Sequence, residues 1–141
     1  MAAKKNYWLV KSEPVKYSWG QFVKDGETVW DGVRNYQARN NLKAMKNGDE
    51  VLFYHSNEGM AVVGVAKVSK EAYQDPSTGD ERWVVVNLKP AKALKTPVTL
   101  EEIKKDKKLQ NMKLLQQGRL SVSPVSEDEF HTIVDHGSKK S

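Results

Sequence analysis

The sequence has no cysteine. That excludes a disulfide framework and any thiolate metal site. It has only three histidines, His55, His131 and His136, and none of their spacings suits a metal. Long apolar runs are also missing. The longest, such as "AVVGVA", fall far short of a bilayer span. The opening stretch "MAAKKNYWLVKSEP" carries no long apolar segment and no small-residue cleavage site, so no signal peptide is expected. There is no G-x-S-x-G elbow, and "GMAVVGVA" has no Lys-Ser or Lys-Thr to make it a phosphate loop. These absences argue against a disulfide-stapled secreted domain, a membrane-spanning chain, a zinc protein and the common hydrolase and nucleotidase signatures. An intracellular, cytoplasmic chain is the expectation.

What is present suits one domain. The chain has 141 residues, 38% of them hydrophobic, and a mean hydropathy of -0.68. Net charge is +5. That permits a nucleic-acid partner without requiring one. Much of the excess lies in "KPAKALKTPVTLEEIKKDKKLQNMK". Glu101, Glu102 and Asp106 are mixed into that run, so it reads first as a solvated face.

Strand signals outnumber helix signals. "YWLVK" predicts a strand stopped by Pro14. "EVLFYHS" and "MAVVGVAKVSKEAY" predict two more. "DPSTGDE" is a turn that closes a hairpin onto the returning strand "RWVVVNLK". "LSVSP" is a short strand. Helices are expected where caps occur: Ser18 before "WGQFVKD" with Gly26 after it, Thr99 with Glu102, and Ser126 with Glu129. "HGSKKS" reads as a frayed tail from about residue 137. Hairpin-linked strands with few helices imply an α+β domain, a mostly antiparallel sheet or small barrel with helices packed on it, and not a doubly wound sheet.

The segment "WDGVRNYQARNNL" is unusual. It crowds three asparagines and two arginines into the start of a helix, although asparagine is a poor helix former. On a helical wheel Ala38, Leu42 and Met45 form a narrow apolar stripe. Asn35, Arg39, Lys43 and Lys46 stack on the adjoining ridge. Two readings stand: a solvated amphipathic helix, or a ridge that meets a phosphate backbone. In "VLFYHS", Val51, Phe53 and His55 alternate against Leu52, Tyr54 and Ser56. In "YWLVKS", Trp8, Val10 and Ser12 share one face, and Tyr7, Leu9 and Lys11 the other. Trp8 and Trp83 lie within strand signals and read as core. Trp30 precedes Asp31-Gly32 and reads as a loop-edge ring able to stack on a flat ligand.

Four stretches, "YWLVKSEP", "WDGVRNYQARNNLKAMKNGDEVLFYHSN", "GVAKVSKEAYQDP" and "GRLSVSPVSEDEF", resemble the EVE domain family in this order over nearly the whole chain. The resemblance implies a single domain over 1–141. It also implies a PUA-like α+β fold: a mostly antiparallel sheet curled into a partial barrel, with helices around it. It implies a non-catalytic reader of a modified base in DNA or RNA, with modified cytosine in DNA the leading candidate. No cofactor, metal, membrane or particular protein partner is implied.

Carried over by motif, the base pocket would draw on Trp8, Lys11, Ser12, Trp30, Asn35, Tyr54, His55 and Ser56. Arg34, Arg39, Lys43, Arg119, Leu120 and Ser121 would form the rim or hold phosphates. In that reading Trp30 holds the base's face, and Asn35 and Ser12 bond its edge. Two alternatives remain open. One is a hydrolase of modified nucleosides using Lys11, Glu13 and His55 as an acid–base set. The other is a small-molecule sensor using the same cleft.

Overall fold

Alternation in the strands builds two cores, one on each face of a single sheet. The computed structural model describes residues 6–31, 33–56 and 59–138. Within them the chain runs β1 (Tyr7–Ser12), α1 (Trp19–Asp25), β2 (Thr28–Trp30), α2 (Tyr36–Ala44), β3 (Glu50–His55), β4 (Ala61–Gln74), β5 (Val84–Thr99), α3 (Leu100–Lys105), a 3-10 turn (Lys107–Leu109), α4 (Lys113–Gln116), β6 (Val122–Val125) and α5 (Glu127–Ser138). The described strands form one open mixed sheet in the order β2-β5-β4-β3-β1-β6. Only the β1–β3 pairing is parallel.

Val10, Val51 and Phe53 point to one face, where Phe22 of α1 and Ala38 and Leu42 of α2 cover them, with Met45 just beyond that helix. Leu9, Leu52 and Tyr54 point to the other. There Ile103, Leu109, Met112, Phe130 and Ile133 close over them. Each layer is fully dehydrated at its centre, which is where most of the folding free energy arises.

Local chemistry sets the helix ends. The Ser18 hydroxyl accepts from the Gln21 N–H, and Gly26 takes a left-handed conformation at φ 74° to end α1. Thr99 accepts from Glu102 N–H. Ser126 and Glu129 cap each other reciprocally. Gly137 and Ser138, expected in a frayed tail, instead continue α5. A Cβ at Gly137 would come within 2.7 Å of Leu94, so that turn of the helix lies directly on β5.

The sheet is strongly curled. β2 and β3 are separated by β5 and β4, so on a flat sheet they would stand about 14 Å apart. Yet the ring centroids of Trp30 on β2 and Phe53 on β3 are 5.6 Å apart. Repeated register shifts between β4 and β5, and one between β3 and β4 at Phe53/Tyr54, accommodate this curvature. Gly64 sits at one of them. A Cβ there would lie 2.5 Å from the Trp19 indole, so the missing side chain seats that ring against the sheet.

Candidate nucleic-acid interface

β1 and β3 run parallel and end side by side, Ser12 opposite His55. The chain leaves β1 toward α1 and leaves β3 toward β4. Between these departures and the curled-in β2 edge lies a cavity of about 980 Å³. Its polar lining includes Lys11, Ser12, Glu13, Lys16, Thr28, Asp31, Asn35, Ser56 and Ser121, and its rings come from Tyr17, Trp30 and Tyr54. Arg34 stands in the same wall, and Met60, Leu100 and Leu114 supply an apolar surface.

Internal bonds decide what each polar group can still offer. The Ser12 hydroxyl, in a residue only 9% exposed, donates to the Tyr17 carbonyl at 2.6 Å, so its oxygen is left as an acceptor. Asn35 is the N-cap of α2. Its Oδ1 accepts from the Ala38 N–H at 2.9 Å, which leaves the amide NH₂ as a donor. Lys11 Nζ donates to the Gly118 carbonyl at 2.5 Å, and partial burial lowers its pKa. The Glu13 carboxylate pairs with Lys16 at 3.4 Å, and its carbonyl accepts the N–H groups of Lys16 and Tyr17, which sets the turn after β1. Burial pushes the Tyr54 phenol up, so it is a neutral hydroxyl. The cavity therefore presents donors from Asn35 and Lys11 beside an acceptor from Ser12, against aromatic walls.

Several sequence expectations change here. Trp8 does not line the cavity. It lies at the other end of β1, 6% exposed, and its indole N–H donates to Asp49 Oδ2 at 3.0 Å. His55 is also turned away. Strand alternation puts it on the face opposite Tyr54 and Ser56, where its Nε2 accepts the Trp19 backbone N–H at 3.0 Å. That bond requires a neutral imidazole, and burial lowers the His55 pKa accordingly. Leu120 is 5% exposed and packs in the core rather than on the rim.

Trp30 lines the cavity but is not a loop-edge ring. It belongs to β2, pairs with Val86, is 9% exposed, and meets Tyr17 and Phe53 edge-on. Gly32, expected in a tight turn after it, lies outside the described residues, as does Asn57. Arg34 reaches the cavity, but its guanidinium is tied to the buried Asp75 carboxylate at 3.0 Å and to the Val33 carbonyl. Arg39 and Lys43 stand on α2 outside the cavity, Lys43 exposed. Arg119 is exposed between Gly118 and Ser121 in sequence, although only those two line the cavity.

The asparagines of "WDGVRNYQARNNL" are largely structural. Asn35 caps the helix, Asn40 Oδ1 accepts from Arg39, and Asn41 Nδ2 donates to the Val122 carbonyl of β6 at 2.7 Å. Tyr17, Thr28, Met60, Leu100 and Leu114 line the cavity without having been singled out from the sequence. Tyr17 had a visible signal, since an aromatic residue in the turn just after Ser12 must stay near that strand's end. The other four reach the site only through the curl of the sheet and the α3–α4 layer.

Among the described residues no cluster of His, Asp or Glu is arranged to hold a metal ion, and no helix is long and apolar enough to cross a membrane.

Comparison with known proteins agrees with this fold. Mouse thymocyte nuclear protein 1 is 37% identical over 163 residues, which span 92% of this chain and 72% of the mouse protein. A protein of Agrobacterium tumefaciens superposes with a TM-score of 0.92 at 44% identity, over 96% of both chains. Human THYN1, solved in complex with 5-methylcytosine-containing DNA, superposes at 0.89 with 34% identity, over 97% of this chain and 100% of that one. Residues 6–136 match the EVE domain, and the chain belongs to the EVE domain family.

Proposed function

We propose that this protein is a non-catalytic reader of a modified base in nucleic acid, with 5-methylcytosine in DNA the first candidate. The base is taken out of the stack and held in the cavity at the ends of β1 and β3. The observation that carries this reading is the arrangement of hydrogen-bonding groups left over inside an aromatic-walled cavity. Cytosine offers one amino donor and two acceptors on its pairing edge. The Ser12 oxygen accepts from the amino group, while the Asn35 NH₂ and Lys11 Nζ donate to the ring nitrogen and carbonyl. The ring lies against Trp30 and Tyr17, and Met60, Leu100 and Leu114 take an apolar substituent. Kinship with human THYN1, crystallised with 5-methylcytosine-containing DNA, supports the same reading.

The hydrolase alternative loses its acid–base set. Lys11 and Glu13 line the cavity, but His55 faces away and its Nε2 already holds the Trp19 N–H. Three groups that do not converge on one point cannot share a proton-transfer path.

The test is a titration of oligonucleotides that differ only in the modification of one cytosine, at several salt concentrations. The modified strand should bind more tightly at every salt concentration. Both should weaken as salt rises, because phosphate contacts contribute to each. Equal affinity for both strands would falsify the reader assignment. Release of free base or altered nucleoside would restore the hydrolase.

A further inference from the structure

Trp83 reads from the sequence as a core residue within a strand, but β5 begins only at Val84. Trp83 lies at the end of the β4–β5 hairpin tip and stacks on Tyr36, the first residue of α2. Their ring centroids are 5.2 Å apart and the planes inclined by 29°. Tyr36 remains 52% exposed. Three guanidinium groups surround this pair. Arg39 lies 5.1 Å from the Tyr36 ring centre, Arg34 lies 5.5 Å from that of Trp83, and Arg82 donates to the Tyr36 hydroxyl at 2.9 Å.

Closing the hairpin does not need these groups. The tip is already held by Asp75 N–H to the Trp83 carbonyl and by Ser77 on the Asp75 carboxylate. Two carboxylates instead fix the arginines from behind. Asp75 holds Arg34, and Asp80 grips Arg82 with both oxygens. The Arg82 guanidinium holds the Asp80 carboxyl down to about 2, so this clamp persists at any working pH. Arg39 is different: its partners are the Asn40 side-chain oxygen and the Arg82 carbonyl, both neutral. Among the described residues no carboxylate cancels its charge, and it lies over the half-exposed Tyr36 ring. Arg34 both lines the cavity and lies over Trp83, and Asn35 of the lining immediately precedes Tyr36, so this platform adjoins the cavity.

We propose that the Tyr36–Trp83 pair with Arg39 is a second subsite of the nucleic-acid interface, which takes the unpaired nucleotide next to the base held in the cavity. A base stacks on an aromatic ring or on a guanidinium plane laid over one, and the guanidinium meets the phosphate on the far side of that nucleotide. The subsite contributes affinity and tracks the strand, and it does not sense the modification. This inference rests on the reader assignment above.

The experiment compares two ligands, 5-methyl-2′-deoxycytidine monophosphate and a single strand of about twelve nucleotides carrying one 5-methylcytosine, with an unmodified strand alongside. Each is titrated against the wild type, Trp83→Ala and Arg39→Gln. Arg39→Gln leaves both rings in place, so it stays informative if the Trp83 variant folds poorly. The expected result is about tenfold weaker binding of the long strand by each variant, with mononucleotide affinity and the modified-to-unmodified ratio unchanged. Variants that keep the wild-type gain from strand length overturn the proposal, as does an equal loss on the mononucleotide. Failure of the reader assignment looks different: the wild type would bind modified and unmodified strands alike, while the length comparison still reports on the platform.

Discussion

The parallel strands β1 and β3 end very differently at their two ends. Where they begin, Asp49 is buried and accepts from the Trp8 indole, the Asn6 N–H and the Lys46 N–H. The polar groups there find partners inside the protein, and the end is sealed. Where they finish, Ser12, Lys11 and Tyr54 stand in a cavity wall, and Ser12 and Lys11 keep hydrogen-bonding capacity beyond the bonds they make within the protein. Residue type does not distinguish the two ends, since each carries polar side chains and a neighbouring tryptophan. The difference lies in whether the partners are built into the fold. A polar strand end with all its bonds made is a clamp, and one with bonds left over is a site.

The largest effect should come from the residue that blurs this division. Trp30 is a core ring and a cavity wall at once, so Trp30→Ala should cost about 3–5 kcal/mol of stability in a urea melt and also weaken binding of the modified strand. Loss of binding without loss of stability would return Trp30 to the exposed loop position expected from its sequence neighbours.

Next comes the sealed end. Asp49→Ala leaves the buried Trp8 indole N–H without an acceptor and should cost about 2–3 kcal/mol. Affinity for the modified strand, measured on folded protein, should be unchanged. A matching fall in affinity would mean that the two ends are one cooperative unit and that the contrast does not hold.

The smallest effect concerns pH. The folded state holds His55 neutral with a lowered pKa. In the unfolded chain it titrates near its ordinary value of about 6.5. Its contribution is therefore fully present above that value and is lost as pH falls through the folded-state pKa, because the unfolded chain takes up the proton first. Melting temperature should decline from about pH 7 toward pH 5, and His55→Gln should flatten that decline. If the slope of the variant matches that of the wild type, the His55–Trp19 N–H bond does not govern the acid sensitivity of the fold.

Much of the fold was legible because its signals are local. The caps at Ser18, Thr99 and Ser126 act within three residues, and the alternation in β1 and β3 correctly sorted Val51 and Phe53 from Leu52 and Tyr54. β2 gives no sequence signal because three residues carry no period, and its pairing of Trp30 with Val86 joins positions far apart in the chain. β5 runs on past Pro90 because that proline falls at a register break, where no ladder N–H is needed. In the cavity, the strand ends Lys11, Ser12, Tyr54 and Ser56 were visible as polar exits. His55 shares the motif of its neighbours, although its own alternation sets it apart from Tyr54 and Ser56. Trp83 reads as core in the sequence because a strand-like run gives no sign of where pairing begins. The asparagines of α2 drew attention as ligand groups because capping and sheet-edge bonding use the same amide chemistry as base recognition.

The curl that brings Trp30 to Phe53 makes the width of the cavity a property of the whole sheet. Within the sheet the opposing walls belong to strands joined through β5 and β4, so the register breaks between those strands help set the gauge of the opening. Grafting the lining residues onto a flatter sheet would not transplant the site. Conversely, inserting or deleting one residue at a β4–β5 bulge offers a way to retune what the cavity admits while every lining side chain stays the same.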